Sequence, residues 1–335
     1  LAEQKYYVTG NTAEGLVNFL DTNIERIQSV FLLQHPSQKF KSEVLRKLMG
    51  HYKSDAEILL SPLGKAYLDG FITREKSLAV LDSTITDDGT FILLDRWFPS
   101  TQKIDPAFNT FIQRAHTSFE KGLRIHDELE KIYFNQMNFV RADEFAEEFI
   151  DNLLKDKASQ GTNGHIFHRF FGTNTPDGVV NEVPHLIKDI KNVDYIKGRA
   201  GTGKSTFMKK LAKACAAKGF DTEVYHCSFD PNSLDMVLVR GLDFCIFDST
   251  DPHEFFPKRE GEQIVDLYKE FVVPGTDEKF ADEIEKWNNR YKAYMKEGIH
   301  YLKKSGAILE EAEQKKYSQE DVQQAVEYIV HNYLR

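Results

Sequence analysis

Residues 7–48 laid on residues 170–211 without a gap agree at 12 of 42 positions, where about two or three matches are expected by chance on average composition. Asn11, Thr12 and Gly15 meet Asn174, Thr175 and Gly178; Ile24, Ile27 and Val30 meet Ile187, Ile190 and Val193; Lys41 and Ser42 meet Lys204 and Ser205. The offset of 163 becomes 166 where "SLAVLDST" (77–84) meets "DFCIFDST" (243–250), so the second copy carries a three-residue insertion. Both copies then turn helical, with Phe108, Ile112, Ala115 and Phe119 in one and Phe280, Ile284, Trp287, Tyr291 and Tyr294 in the other at helix spacing. Each closes on an amphipathic segment, "DEFAEEFIDNLL" and "EDVQQAVEYIVHNYL". The chain is therefore a tandem duplication. We place its units at 1–157 and 158–335, joined through the polar, glycine-bearing "KDKASQGTNGH".

In the second copy, Thr175-Pro176 has the form of an N-cap with proline at the first helical position, which predicts a helix through Ile190. "VDYIKG" reads as a short apolar strand ending at Gly198, and "KSTFMKKLAKACAAKG" as a helix stopped by Gly219. "TEVYHCS" (222–228) and "DFCIFDS" (243–249) are β-branched or aromatic runs of strand length. Strand, glycine loop, helix, strand and strand begin a mainly parallel α/β unit flanked by helices.

That context gives the loop its meaning. Gly198-Arg199-Ala200-Gly201-Thr202-Gly203-Lys204-Ser205 satisfies G-x-x-x-x-G-K-[ST] between a predicted strand and a predicted helix. A backbone that wraps a polyphosphate must turn consecutive N–H groups inward, which needs torsions that glycine adopts freely. The helix N-terminus adds positive potential. With Thr206 completing the first helical turn, residues 198–206 form the expected nucleotide-binding segment. Lys204 would reach the β- and γ-phosphates, and Ser205 would hold Mg²⁺ together with Asp248 at the end of the strand "FCIF". Asp248 could equally cap a turn. Ser249 and Thr250 follow it where a water-orienting glutamate is often found, so the base is unassigned.

Four further features stay open between two readings each. Asp230, in "HCSFDPNSLD", either faces a ligand at the C-terminal edge of the sheet or serves an Asp-Pro-Asn turn. The stretch "DPHEFFPKREGE" (251–262), with His253, Glu254, Lys258 and Arg259, is either a closing loop that supplies a catalytic cation, Arg259 above all, or a solvated charged loop. Phe170 and Phe171 either stack on a base or fill the core. The segment 277–313, interrupted by Gly298 and Gly306, is either a helical hairpin packing one copy on the other or a partner surface.

The T-x-x-G openings, the "GRAGTGKST" loop, the "HCSFDPNSLD" strand end and the "DST-PH" element make nearly the whole chain resemble a little-characterised bacillus-type family of tandem P-loop ATPases or putative nucleotide kinases. The resemblance implies two tandem P-loop NTPase-like domains, each with an added helical segment, that use ATP or another nucleoside triphosphate with Mg²⁺. Members of that family often keep a glycine loop in the first copy as well. Here Gly198, Gly201 and Gly203 are replaced by His35, Gln38 and Phe40, while Lys41, Ser42 and Asp82 remain. The first copy thus reads as a relic that has lost the phosphate site and kept a packing role.

Two classes of function follow: an ATPase or a small-molecule or nucleotide kinase working through the second copy, or a nucleotide-dependent switch or scaffold in which occupancy changes contact with the first copy or with a protein partner without appreciable turnover. The phosphate acceptor is unassigned, and the absence of N-K-x-D leaves GTP selectivity without support. With 52 acidic against 43 basic side chains, net charge −9, the chain lacks the basic balance of a nucleic-acid-coating protein. No apolar run approaches a membrane span, and no membrane partner is expected. The three cysteines, Cys215, Cys227 and Cys245, suit a reducing cytoplasm rather than a zinc site or a disulfide framework. The opening "LAEQKYYVTG" lacks the regions of a signal peptide, and its Leu1 in place of methionine leads us to expect residues ahead of it.

Overall fold

The computed structural model describes residues 4–52, 56–100, 103–159, 161–251, 254–314 and 317–334. The first copy runs β1 (Gln4–Tyr7), β2 (Thr9–Thr12), β3 (Gly15–Asn18), α1 (Leu20–Ile24), β4 (Ser29–Gln34), α2 (Gln38–Met49), β5 (Ala56–Leu60), β6 (Leu68–Thr73), β7 (Leu78–Asp82), β8 (Thr90–Leu93), α3 (Ala107–Phe134) and α4 (Phe139–Leu154). The second repeats that order with β9 (Ile166–Arg169), β10 (Gly172–Thr175), β11 (Gly178–Asn181), α5 (Val183–Leu186), β12 (Asn192–Lys197), α6 (Lys204–Ala217), β13 (Thr222–His226), β14 (Leu234–Val239), β15 (Phe244–Asp248), β16 (Glu262–Asp266), the short α7 (Leu267–Phe271) and α8 (Thr276–Lys279), then α9 (Ala281–Ala312) and α10 (Gln319–Tyr333).

Each copy builds a six-stranded sheet, β1-β5-β6-β7-β4-β8 in one and β9-β13-β14-β15-β12-β16 in the other. Only β6 and β14 run antiparallel to their neighbours. The antiparallel β14, between the two runs read as strands at 222–228 and 243–249, separates β13 from β15 in the sheet. Residues alternate between faces with period two: Val193, Tyr195, Cys245 and Phe247 join Leu32, Ala79 and Leu81 in a central core shared by both sheets. Ile196, Phe244 and Ile246 face the opposite way, toward α6.

The predicted helix from Thr175 to Ile190 is replaced by a β-hairpin. Thr175 Oγ accepts from the Asp177 N–H and donates to the Gly178 carbonyl, and Gly178 holds φ +108°. The hydroxyl thus closes a turn rather than a helix start, leaving only the four-residue α5 beyond it. Thr12 and Gly15 repeat the arrangement. The two hairpins meet about a local twofold: Asn11 Nδ2 donates to the Asn174 carbonyl and Asn174 Nδ2 to that of Asn11.

The long helices α3 and α9 lie against each other. α9 is one continuous helix, not a hairpin, and its glycines mark close approach rather than interruption. A Cβ on Gly298 would lie 2.2 Å from the Phe119 ring, and one on Gly306 would lie 2.6 Å from Pro176. The two copies then exchange their last helices. α4 of the first copy covers the outer face of the second sheet, with Phe145 and Phe149 on Phe207. α10 of the second covers the first, with Val322, Val326 and Ile329 among Phe40, Val44 and Leu48. At about 1.5–3 kcal/mol for each large aliphatic side chain buried, the exchange joins the copies strongly. Among the described residues, no helix is long and apolar enough to cross a membrane.

Candidate functional site

The central strand β12 ends at Lys197, and the 198–203 loop turns the chain into α6. Its three glycines answer to separate demands. Gly201 and Gly203 hold φ +71° and +78°, the left-handed region. Gly198 is needed for space, since a Cβ there would meet Thr202 Oγ at 2.7 Å. The buried Thr202 clamps the loop by donating to the Arg199 carbonyl (2.8 Å) and accepting from the Arg199 N–H (3.3 Å).

Parallel pairing of β12 with β15 sets Asp248 opposite Ile196, two residues before Gly198. Lys204 Nζ lies 3.4 Å from Asp248 Oδ2 and donates to the Arg199 carbonyl at 2.8 Å. Thr250 Oγ donates to Asp248 Oδ1. Ser205 Oγ accepts from the Leu234 N–H at 3.0 Å. No group of three or more His, Cys, Asp or Glu side chains placed to hold a metal occurs among the described residues. A cation here would therefore rest on Ser205, Asp248 and the oxygens of a ligand.

These groups form the floor of a cavity of about 990 Å³, which all of residues 198–206, Asp230 and Asp248 line. Arg199 turns its guanidinium outward to Asp277 (2.8 Å) and over the Tyr268 ring. Asp230 borders the cavity, and its carboxylate accepts from Asn232 N–H and Ser233 Oγ within the turn. Arg259 is not brought to the site. It is held by Glu262 (2.6 Å) and the carbonyls of Ile187 and Lys188, away from the cavity-lining residues. Of its loop, Asp251 and Glu254 do reach the cavity, paired with Lys292 and Lys197; His253 lies outside the described residues. Phe170 and Phe171 are core residues, 0% and 2% exposed.

The roof comes from the other copy. His126, Asp127, Glu130, Tyr133 and Phe134 of α3, with Phe139 and Asp143 of α4, face the loop of the second copy. Ala200 packs on Leu129, Ile132 and Tyr133, and a Cβ on Gly201 would meet the Glu130 carbonyl oxygen at 2.5 Å. Burial, with Lys204 nearby, lowers the His126 imidazole to about 4, so it is neutral at pH 7. Asp235, on β14, is half-buried, and desolvation together with the charge of Asp248 pushes it up to about 7. Sequence reading missed these groups. The helical periodicity of residues 107–154 shows an amphipathic arm, and nothing local says which sheet it covers.

The first copy keeps the pattern with the cavity closed. Lys41 Nζ and Asp82 Oδ1 pair at 2.7 Å, with side chains 1% and 4% exposed against 12% and 17% for Lys204 and Asp248. Ser42 Oγ accepts from the Leu68 N–H as Ser205 does from Leu234. Phe40 is fully buried at the position of Gly203. His35, in the place of Gly198, accepts from Ser37 N–H at Nδ1 and so donates through Nε2 to the Phe98 carbonyl. Glu313, from the end of α9, accepts from Ser37 Oγ (2.6 Å) and the Gln38 N–H (2.7 Å), seating a carboxylate at the start of α2 where an anion would bind.

Comparison with protein-family models, curated proteins and solved structures finds no match to this chain.

Proposed function

We propose that the chain is an ATP-binding P-loop protein of the tandem family it resembles. It uses Mg·ATP in its second copy, as an ATPase or as a kinase for a small molecule or nucleotide. One observation carries the reading: both copies place a Lys–Asp pair and a serine at the same points, yet only the second has left-handed glycines in the loop before the lysine and an open cavity of about 990 Å³ above it. The glycines pass the test of fit, since side chains at 198, 201 or 203 would fill or strain the cradle. In this reading the loop amides and the first turn of α6 hold the phosphates, and Lys204 balances their charge. Ser205 and Asp248 would hold Mg²⁺, which screens the phosphate charge when bound. The α3–α4 arm excludes water from above.

The second reading is a nucleotide-dependent switch, favoured by the roof itself: an arm from the other copy is placed to sense occupancy and pass it to a protein partner. The free cysteines, with Cys215 and Cys245 buried, fit a cytoplasmic setting for either. Incubation with γ-labelled Mg·ATP, with and without pooled nucleosides and metabolites, separates the readings. Label in free phosphate supports an ATPase, label in a small molecule a kinase, and label remaining on a bound nucleotide a switch. A chain that binds no triphosphate overturns all three.

A further inference from the structure

We propose that Glu130, carried by the first copy, is the general base of the site in the second copy; this rests on the nucleotide reading above. Most of the other carboxylates around the cavity have other duties, and Asp127 is exposed on α3. Asp248 faces Lys204, Asp251 faces Lys292, Glu254 faces Lys197 and Asp143 faces Lys210. Asp230 is engaged by its own turn, and Asp235 accepts from the Cys227 thiol. Ser249 and Thr250, which follow Asp248, are tied to Phe255 and to Asp248 itself. Glu130 differs. It is half-buried and borders the cavity with its main chain against Gly201; its carboxylate accepts from the Gly201 N–H and lies 3.6 Å from Nδ1 of the neutral His126.

The duplication shows that this setting is particular to the second site. Asn138 and Ser318 cap the starts of α4 and α10. Counting back from those caps, Leu129 and Glu130 correspond to Leu309 and Glu310. Glu310 is fixed by Lys39 Nζ (2.5 Å) and Tyr67 OH (2.6 Å). In the second copy the positions of Lys39 and Tyr67 hold Thr202 and Ser233. Thr202 is spent on the loop clamp and Ser233 on Asp230. The same carboxylate is thus pinned by a lysine and a tyrosine over the closed site, and over the open one meets the Gly201 N–H instead.

Its surroundings suit proton transfer. Burial, then Asp127 and Asp230, raise the Glu130 carboxyl above its ordinary range, against the opposing pull of Lys204 and the Gly201 N–H. His126 is neutral and adds no competing positive charge. In the step assigned to it, the Glu130 carboxylate takes the proton of a water or acceptor hydroxyl as that oxygen bonds to the γ-phosphorus. The bond from that phosphorus to the β–γ bridging oxygen breaks, and its electron pair leaves on the diphosphate. The proton then passes from Glu130 to solvent. General-base catalysis of this kind is worth about 10²–10⁴-fold.

The test uses the full chain, Mg·ATP turnover in water or with the acceptor found above, and the ATP-induced rise in melting temperature. Glu130→Gln should cut kcat by about a hundredfold or more with the ATP-induced shift and KM for ATP retained. Glu130→Asp should recover part of the rate, and Glu310→Gln should turn over as wild type. Turnover of Glu130→Gln within about threefold of wild type overturns the assignment, because a lost base costs far more. Loss of the ATP shift together with turnover also overturns it, assigning Glu130 to loop support. A wild-type chain that binds ATP without turnover removes the base while leaving the switch. Absence of any ATP shift in the wild type sinks the nucleotide reading and Glu130 with it.

Discussion

Lys204 and Lys41 occupy equivalent positions with opposite surroundings, and that contrast fixes what each contributes. A ligand at about a hundred times its dissociation constant stabilises the folded state by roughly 2.7 kcal/mol, a rise of about 4 °C when the whole chain unfolds together. Lys204→Ala should abolish most of the ATP-induced rise in melting temperature, because it removes the cation beneath the phosphates. Lys41→Ala should lower the melting temperature itself, since it leaves Asp82 buried and unpaired, a loss of about 3–5 kcal/mol. The ATP-induced increment should survive. Differential scanning of both variants with and without Mg·ATP decides the point, and equal loss of the increment would bring Lys41 into binding. A second residue-scale prediction concerns Asp69, which burial pushes from an ordinary 3.8 to about 7 despite hydrogen bonds from Thr9 and Ser61. The folded chain then holds a proton that the unfolded chain has lost between about pH 4 and 7. Its stabilising share is full below the ordinary carboxyl range and disappears as pH rises through about 7. Melting temperature should fall over that window, and Asp69→Asn should flatten the fall; an identical slope would place the proton elsewhere. The glycines, Lys204, Ser205 and Asp248 were legible because they stand next to each other or at a strand end. Glu130 and His126 were not, because they reach the loop from more than 60 residues away in the chain.

The elements were read well where local pattern decides them and poorly where a side chain or a distant strand does. Strands β12, β13 and β15 and the helix α6 follow from apolar runs and a terminal glycine, Gly219, which sits at φ +100° just past the helix end. The Thr175-Pro176 pair misled because the same hydroxyl that caps a helix also closes a tight turn. Helix α9 misled for a different reason: glycine inside a helical pattern signals either a break or a close neighbour. Its neighbour is Phe119, and this gives an element-scale prediction. Gly298→Ala drives a methyl to 2.2 Å from the ring, so it should destabilise by about 1–3 kcal/mol as overpacking does. Phe119→Leu in the same chain should recover part of the loss, because it shortens the side chain that is struck. Thermal or urea denaturation of the single and double variants measures the coupling, and additive effects would show that α3 and α9 do not meet there.

At the scale of the whole molecule, the duplication has produced an intramolecular dimer with exchanged arms. The repeat boundary near 157 divides the sequence but not the packing, since α4 lies on α6 and α10 on α2. Arg169 binds the copies further. Fully buried, it pairs with Glu57 of the first copy (3.1 Å) and Glu223 of the second (3.0 Å). Burial alone would raise the Glu57 carboxyl, but Arg169 and Arg74 outweigh it and hold it at about 2. The first copy is therefore more than a packing relic, because the roof of the second copy's cavity belongs to it. No periodicity in residues 107–154 names the sheet they cover, so this arrangement could not be read from sequence. It predicts how the chain comes apart. A fragment 158–335 lacks α4 over Phe207 and Phe244, and a fragment 1–157 lacks α10 over Phe40 and Leu48. Each alone exposes an apolar face of the kind that drives association, so neither should give a cooperative melt. Mixed in equal amounts they should restore each other's cores, and the intact chain should unfold in a single transition that Mg·ATP moves as a whole. Calorimetry of the chain and of the fragments, separate and mixed, measures this. Two independent transitions in the intact chain, with only one moved by ATP, would mean that the exchanged helices contribute too little to couple the copies, and the second copy would then stand as a unit without its borrowed roof.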